Sequence, residues 1–141
     1  MNKSGAIVII EDDVDDQDIF KEAFRQLNYK NEIIFFNDGQ EALRYLTESV
    51  REPFIVFSDI NMPKLDGKEL RAQIHENESI RIKTIPYLFF TTSVAQEDVI
   101  DAYSKSIQGF FVKPSSFDDL KSLLRKIVEY WQECVSPNYV K

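Results

Sequence analysis

Five short runs of β-branched and aromatic residues, each continuous rather than alternating, constrain what this chain can fold into. They are AIVII at Ala6 to Ile10, EIIFF at Glu32 to Phe36, FIVF at Phe54 to Phe57, YLFF at Tyr87 to Phe90 and FFV at Phe110 to Val112. A strand without polar alternation has no solvent face, so these runs are expected to be buried on both sides. Helical spacing fills the intervals. Ile19, Phe20, Ala23, Phe24 and Leu27 mark a first helix, and Ala42, Leu43, Tyr45 and Leu46 a second that begins near Asp38-Gly39. A third is expected over roughly Lys68 to His75 and a fourth over roughly Ala95 to Ser104. In the last helix Phe117, Leu120, Leu124, Ile127 and Trp131 advance by three and four, widened by Leu123 and Val128. Ser115 or Ser116 can cap its start, where Asp118 and Asp119 suit the dipole. Strand and helix alternate five times, which predicts an α/β fold with a parallel sheet and helices on both faces.

At 141 residues the chain has room for one such core, expected over residues 1–135 with a frayed tail at 136–141. Lys and Arg number 17 against 24 Asp and Glu, a net charge of −7 without a basic cluster. Direct binding to DNA or RNA is therefore not expected, since that affinity rests on neutralising phosphates. No stretch approaches the ~20 apolar residues of a membrane span. The apolar run after the start is too short for a signal peptide, and the lone Cys134 excludes an internal disulfide and any multi-cysteine metal site. A cytoplasmic protein is expected.

In an open parallel sheet, ligands bind outside the carboxyl ends of the strands. Glu11-Asp12-Asp13 follow the first run, Ser58-Asp59 the third, Thr91-Thr92-Ser93 the fourth and Lys113-Pro114 the fifth. Glu11, Asp12 and Asp59 would bring about −3 to one edge, and such crowding either raises a carboxylate pKa or recruits a cation. Oxygen donors without His or Cys select a hard ion, and Mg²⁺, which takes one or two carboxylates plus a phosphate oxygen, fits best. Lys113 would supply the other positive charge.

Simpler roles account for other polar residues. Asp13 is read as the N-cap of the first helix, His75 as a solvated side chain and Cys134 as a bystander. Gly5, Gly39, Gly67 and Gly109 are too far apart for a P-loop or a GxGxxG fingerprint, and three acids stand where a flavin-binding loop would need anion-cradling amides. With one His and no nucleophile elbow, hydrolase triads have no support.

From about Ala6 to Trp131 this pattern resembles the receiver domain of two-component response regulators, the chemotaxis-receiver type included. The motifs that carry the resemblance are Glu11-Asp12-Asp13, Ser58-Asp59-Ile60-Asn61-Met62-Pro63 with Asp66-Gly67, Phe90-Thr91-Thr92-Ser93, and Gly109-Phe110-Phe111-Val112-Lys113-Pro114. It implies a flavodoxin-like (βα)5 doubly wound sheet in the order 2-1-3-4-5. It also implies that Asp59 accepts a phosphoryl group and that Asp12 ligates Mg²⁺ directly. Glu11 would act mainly through a coordinated water, and Asn61 through its backbone carbonyl. Lys113 and Thr91 would contact the phosphoryl group, with Phe110 as the aromatic switch that follows Thr91. Implied partners are a sensor histidine kinase or histidine phosphotransfer protein, and a downstream protein on the face of the fourth helix, fifth strand and fifth helix. The segment Glu76 to Pro86 and the Tyr130-Trp131 helix end are similar to stand-alone receivers paired with bacterial phytochromes, monomeric or homodimeric through the last helix and strand.

The resemblance thus implies a signalling protein rather than a turnover enzyme, acting through a phosphorylation-dependent protein contact. Two alternatives stand beside it. A haloacid-dehalogenase-type phosphatase also uses an Asp nucleophile with Mg²⁺, Thr and Lys, and Asp13-Val14-Asp15 offers its DxD. A degenerate receiver would bind partners without phosphorylation.

Overall fold

The computed structural model describes residues 2–48, 51–60, 66–76, 85–92, 95–105 and 107–135. Along them run β1 (Ile7–Ile10), α1 (Val14–Leu27), β2 (Ile33–Phe36), α2 (Gly39–Glu48), β3 (Ile55–Ser58), α3 (Gly67–Glu76), β4 (Tyr87–Thr91), α4 (Gln96–Ser104), β5 (Gly109–Val112) and α5 (Phe117–Glu133). All neighbouring strands are parallel, in the order β2-β1-β3-β4-β5. The expected flavodoxin-like sheet is therefore the observed one. Its order reverses between β1 and β3, which opens a crevice at their carboxyl ends.

Side-chain alternation sorts the helices onto the two faces. Ile7, Ile9, Ile55, Phe57, Leu88 and Phe90 pack with α1 and α5 through Phe20, Phe24, Leu120, Leu124 and Val128. Val8, Ile10, Val56, Tyr87 and Phe89 pack with Ala42 and Leu46 of α2, Leu70 and Ile74 of α3 and Ala102 of α4. Aromatic rings lock the first face: Phe57 meets Phe90 edge-on at 5.4 Å and Phe90 stacks on Phe111 at 5.1 Å.

Caps fall where short polar side chains precede the helices. The Asp13 carboxylate accepts from the backbone N–H of Asp15 and Asp16, Asp38 from that of Glu41, Asp66 from that of Glu69, and Ser116 from that of Asp119.

Four expectations need correction. Full burial holds for β1, β3 and β4, whereas β2 is half-buried throughout and β5 only partly covered, because each lies at a sheet edge. Ser58 and Thr91 are the last residues of their strands rather than the first beyond them. Ile19 is 43% exposed, and Gln17 takes the inward position one turn before Phe20, where its amide donates to the Glu11 carbonyl and to Asn37 Oδ1. His75 is half-buried on α3 rather than solvated.

Candidate functional site at the carboxyl edge of the sheet

Parallel pairing extends one step past three strands and thereby sets the site. The backbone N–H of Glu11 donates to the Phe36 carbonyl at 3.0 Å, that of Asp59 to Ile10 at 3.0 Å, and that of Lys113 to Thr91 at 2.8 Å. Glu11, Asp59 and Lys113 thus leave the sheet from backbone still held in the ladder.

Glu11, Asp12 and Asp59 converge, with one carboxylate oxygen of each within 4.8 Å of the others. Glu11 is 2% exposed and Asp12 open to solvent. Lys113 reaches into the cluster from β5. Its Nζ lies 2.8 Å from Glu11 Oε2, 2.9 Å from Asp16 Oδ2 and 3.1 Å from Asp59 Oδ2, and its side chain is 10% exposed. The other Glu11 oxygen accepts from the Asp13 N–H at 3.1 Å.

Burial pushes the Glu11 carboxyl up to about 7; the hydrogen bond from Lys113 opposes this and the charge of Asp59 adds to it. Desolvation leads, where the sequence pointed to crowding. Burial lowers the Lys113 ammonium, but the hydrogen bonds to Glu11 and Asp16, with the charges of Glu11 and Asp59, outweigh it and hold Lys113 above its ordinary value. With Asp16 included, three carboxylates hold one ammonium, and Asp12 adds a fourth acid to the same edge. An edge so built accommodates a hard divalent cation, and its donors are oxygen alone.

Thr91 is 1% exposed, and among the described residues its hydroxyl has no hydrogen-bond partner. An unpaired buried hydroxyl costs free energy, about 1 to 3 kcal/mol, unless a ligand completes it. Thr91 lies two residues beyond Phe89, and Phe89 pairs with Phe110, so Thr91 and Phe110 face the same side of the sheet. Phe110 is half-buried and meets Phe89 edge-on at 5.8 Å.

Gly67, the first residue of α3, lies directly beneath the Asp59 loop. A Cβ there would sit 2.2 Å from the Asp59 carbonyl oxygen and 2.7 Å from Ile60 Cα, so only glycine permits this approach. Asn61, Met62, Pro63 and Ser93 lie outside the described residues, as do 77–84 and the tail 136–141. Asp13 is spent as the α1 cap and Asp15 lies exposed, so Asp13-Val14-Asp15 forms no phosphatase-like pair.

Asp16 and Gln17 are the residues that sequence reasoning missed. Asp16 lies hidden in a run of five acids between Glu11 and Asp16, and only its helical position, three residues after the Asp13 cap, could have marked it. Gln17 bears no motif at all.

The family model described as "Response regulator receiver domain" matches residues 7–125. The "Probable methanogenesis regulatory protein FilR2" of Methanothrix harundinacea is 35% identical over 131 residues, covering 89% of this chain and 82% of FilR2. The response regulator Rcp1 of Synechocystis sp. is 29% identical over 140 residues, covering 96% of this chain and 94% of Rcp1. The Mn²⁺-bound structure of Rcp1 superposes with a TM-score of 0.80 over 93% of this chain and 96% of that one. The phosphorylated cyanobacterial phytochrome response regulator RcpA superposes with a TM-score of 0.83 at 25% identity, over 94% of this chain and 97% of its own. Fold, edge chemistry and these likenesses agree, and the chain belongs to the response regulator receiver family.

Proposed function

We propose that this chain is a phosphoryl-accepting receiver of a two-component pathway, with Asp59 as the acceptor. Receivers of this family are signalling proteins that partner with histidine kinases and bind Mg²⁺ or Mn²⁺ at an acidic pocket. The observation that carries the finer reading is the convergence of Glu11, Asp12, Asp59 and Lys113 at the sheet edge where β4 ends on Thr91, whose buried hydroxyl has no hydrogen-bond partner among the described residues.

Asp12, Asp59 and the Asn61 carbonyl would hold Mg²⁺, with Glu11 acting through a water. When bound, the ion neutralises charge on the transferring group. In the transfer an Asp59 carboxylate oxygen forms the new P–O bond. The P–N bond of a phosphohistidine, or the P–O bond of an acyl phosphate donor, breaks, and the leaving group keeps the electron pair. Lys113 meets the charge on the phosphoryl oxygens, and the Thr91 hydroxyl donates to one of them; positioning and electrostatics are most of what such a transfer requires. Drawing Thr91 toward the phosphoryl group vacates space on the side it shares with Phe110, which carries the change to α4, β5 and α5. There a downstream protein would bind. Ile100 and Tyr103 of α4 and Val112 of β5 are each more than half exposed on these elements, which supports that reading.

Among the described residues no helix is long and apolar enough to cross a membrane, in keeping with a cytoplasmic role. The chain spans nearly the whole of Rcp1 and RcpA. Intact mass after incubation with acetyl phosphate tests the acceptor. One phosphoryl adduct that requires Mg²⁺, is labile to hydroxylamine and is lost in Asp59→Asn is expected; equal labelling of Asp59→Asn would overturn the assignment.

A further inference from the structure

Lys113 has three N–H donors on its ammonium, and all three are engaged: Glu11 at 2.8 Å, Asp16 at 2.9 Å and Asp59 at 3.1 Å. Among the described residues no other carboxylate lies within ion-pair distance of it. These partners are not alike. Glu11 is buried in the sheet edge and shared with the Asp13 N–H, and Asp59 changes chemistry when it is phosphorylated. Asp16 comes from the first turn of α1, with its own backbone N–H on the Asp13 carboxylate at 3.1 Å and its side chain 32% exposed. The receiver reading gives it no role.

We infer that Asp16 is a positioning residue that restrains Lys113 from the α1 side, and so sets how readily Asp59 takes a phosphoryl group. The inference rests on the reading of Asp59 as acceptor. An ammonium with no spare N–H can bind an incoming phosphoryl oxygen only by giving up a contact it already has. The Asp16 contact exists before transfer and gains nothing from it, so it stabilises the ground state alone. Its charge also repels an anionic donor while it favours a cation at the neighbouring carboxylates. Removal of Asp16 should therefore move two quantities in opposite directions, whereas mere loosening of the site would weaken both.

The test is the initial rate of phosphorylation by acetyl phosphate at saturating Mg²⁺, read by intact mass, together with Mg²⁺ affinity by calorimetry. Asp16→Asn should be about two- to fivefold faster than wild type and bind Mg²⁺ more weakly by a similar factor, the size expected of one partly exposed ion pair. Asp16→Glu should return both values toward wild type. Asp15→Asn, which removes the same charge from the same helical turn without touching Lys113, should move each by less than half as much. A slower or unchanged Asp16→Asn overturns the inference while leaving Asp59 labelling, and so the receiver reading, in place.

A second measurement does not depend on phosphorylation. In a urea-unfolding cycle of Asp16→Asn with Lys113→Met, the effects on the unfolding constant should depart from multiplicativity by about two- to fivefold. Multiplicative effects would show that the pair does not interact. A wild type that takes no phosphoryl group, with the pair nonetheless coupled, would overturn both the acceptor assignment and the rate-setting role.

Discussion

Replacing Glu11 by Gln should stabilise the metal-free protein at alkaline pH. Glu11 is 2% exposed, and burial holds its carboxyl near 7 in the fold against about 4.5 in an unfolded chain. A carboxyl whose pKa is raised by folding binds its proton more tightly in the native state. The corresponding stability is present below about pH 4.5 and is lost as the pH rises through about 7. At pH 8 the ionised Glu11 costs the metal-free fold about 3 kcal/mol. Gln escapes that cost but loses one of the two acceptors now used by the Asp13 N–H and the Lys113 ammonium, about 1 kcal/mol. Urea unfolding in chelator should therefore find Glu11→Gln more stable by about 2 kcal/mol at pH 8, a midpoint shift of about 1 M, with the two proteins nearly coincident at pH 5. Mg²⁺ should narrow the gap by stabilising wild type more than the variant. A variant less stable at pH 8, or a difference that does not change with pH, would refute the account of Glu11 as a desolvated, frustrated carboxylate.

Other substitutions probe separate parts of the structure. Gly67→Ala should cost about 1 to 3 kcal/mol on thermal melting, because the new Cβ would meet backbone atoms of Asp59 and Ile60, and should slow acetyl phosphate labelling by displacing Asp59, the proposed acceptor. A variant that keeps wild-type stability and labelling would deny the close approach. Lys113→Ala should bind Mg²⁺ at least as tightly as wild type by calorimetry, since a competing cation is gone, yet show little chemical-shift change in β5 and α5 on phosphorylation. An intact response would remove Lys113 from the coupling. Lys3 Nζ donates to the Gln132 carbonyl at 2.5 Å near the end of α5, whose last turn carries no basic residue. Lys3→Met should lower stability by about 0.5 to 1 kcal/mol, a few degrees in Tm, and an unchanged melt would show that this tie contributes nothing.

Much of the architecture was legible because its signals are local. The continuous runs at Ala6 to Ile10 and Tyr87 to Phe90 announce buried strands, and the caps at Asp13 and Ser116 fall at the helix starts the spacing predicts. Edge exposure was not legible: Ile33 to Phe36 is as apolar as Ile7 to Ile10, but a strand's neighbours, not its composition, determine whether it lies inside or at the rim. Ile19 and Gln17 show the same limit within one helix, where inward direction follows from docking on the sheet and a buried glutamine is acceptable once its amide finds the Glu11 carbonyl and Asn37.

The residue order of this chain is enough to specify alternating strands and helices, and to bring acids, a threonine and a lysine to one sheet edge. Those properties depend on periodicity and on the fixed direction of a parallel strand, both of which operate over a few residues. What the order could not convey is that Lys113 closes on three carboxylates including Asp16, that Glu11 is desolvated enough to titrate near 7, and that α3 comes close enough to Asp59 to need a glycine at 67. Each depends on distances of a few ångströms between segments as many as 102 residues apart, and on the water that their packing excludes.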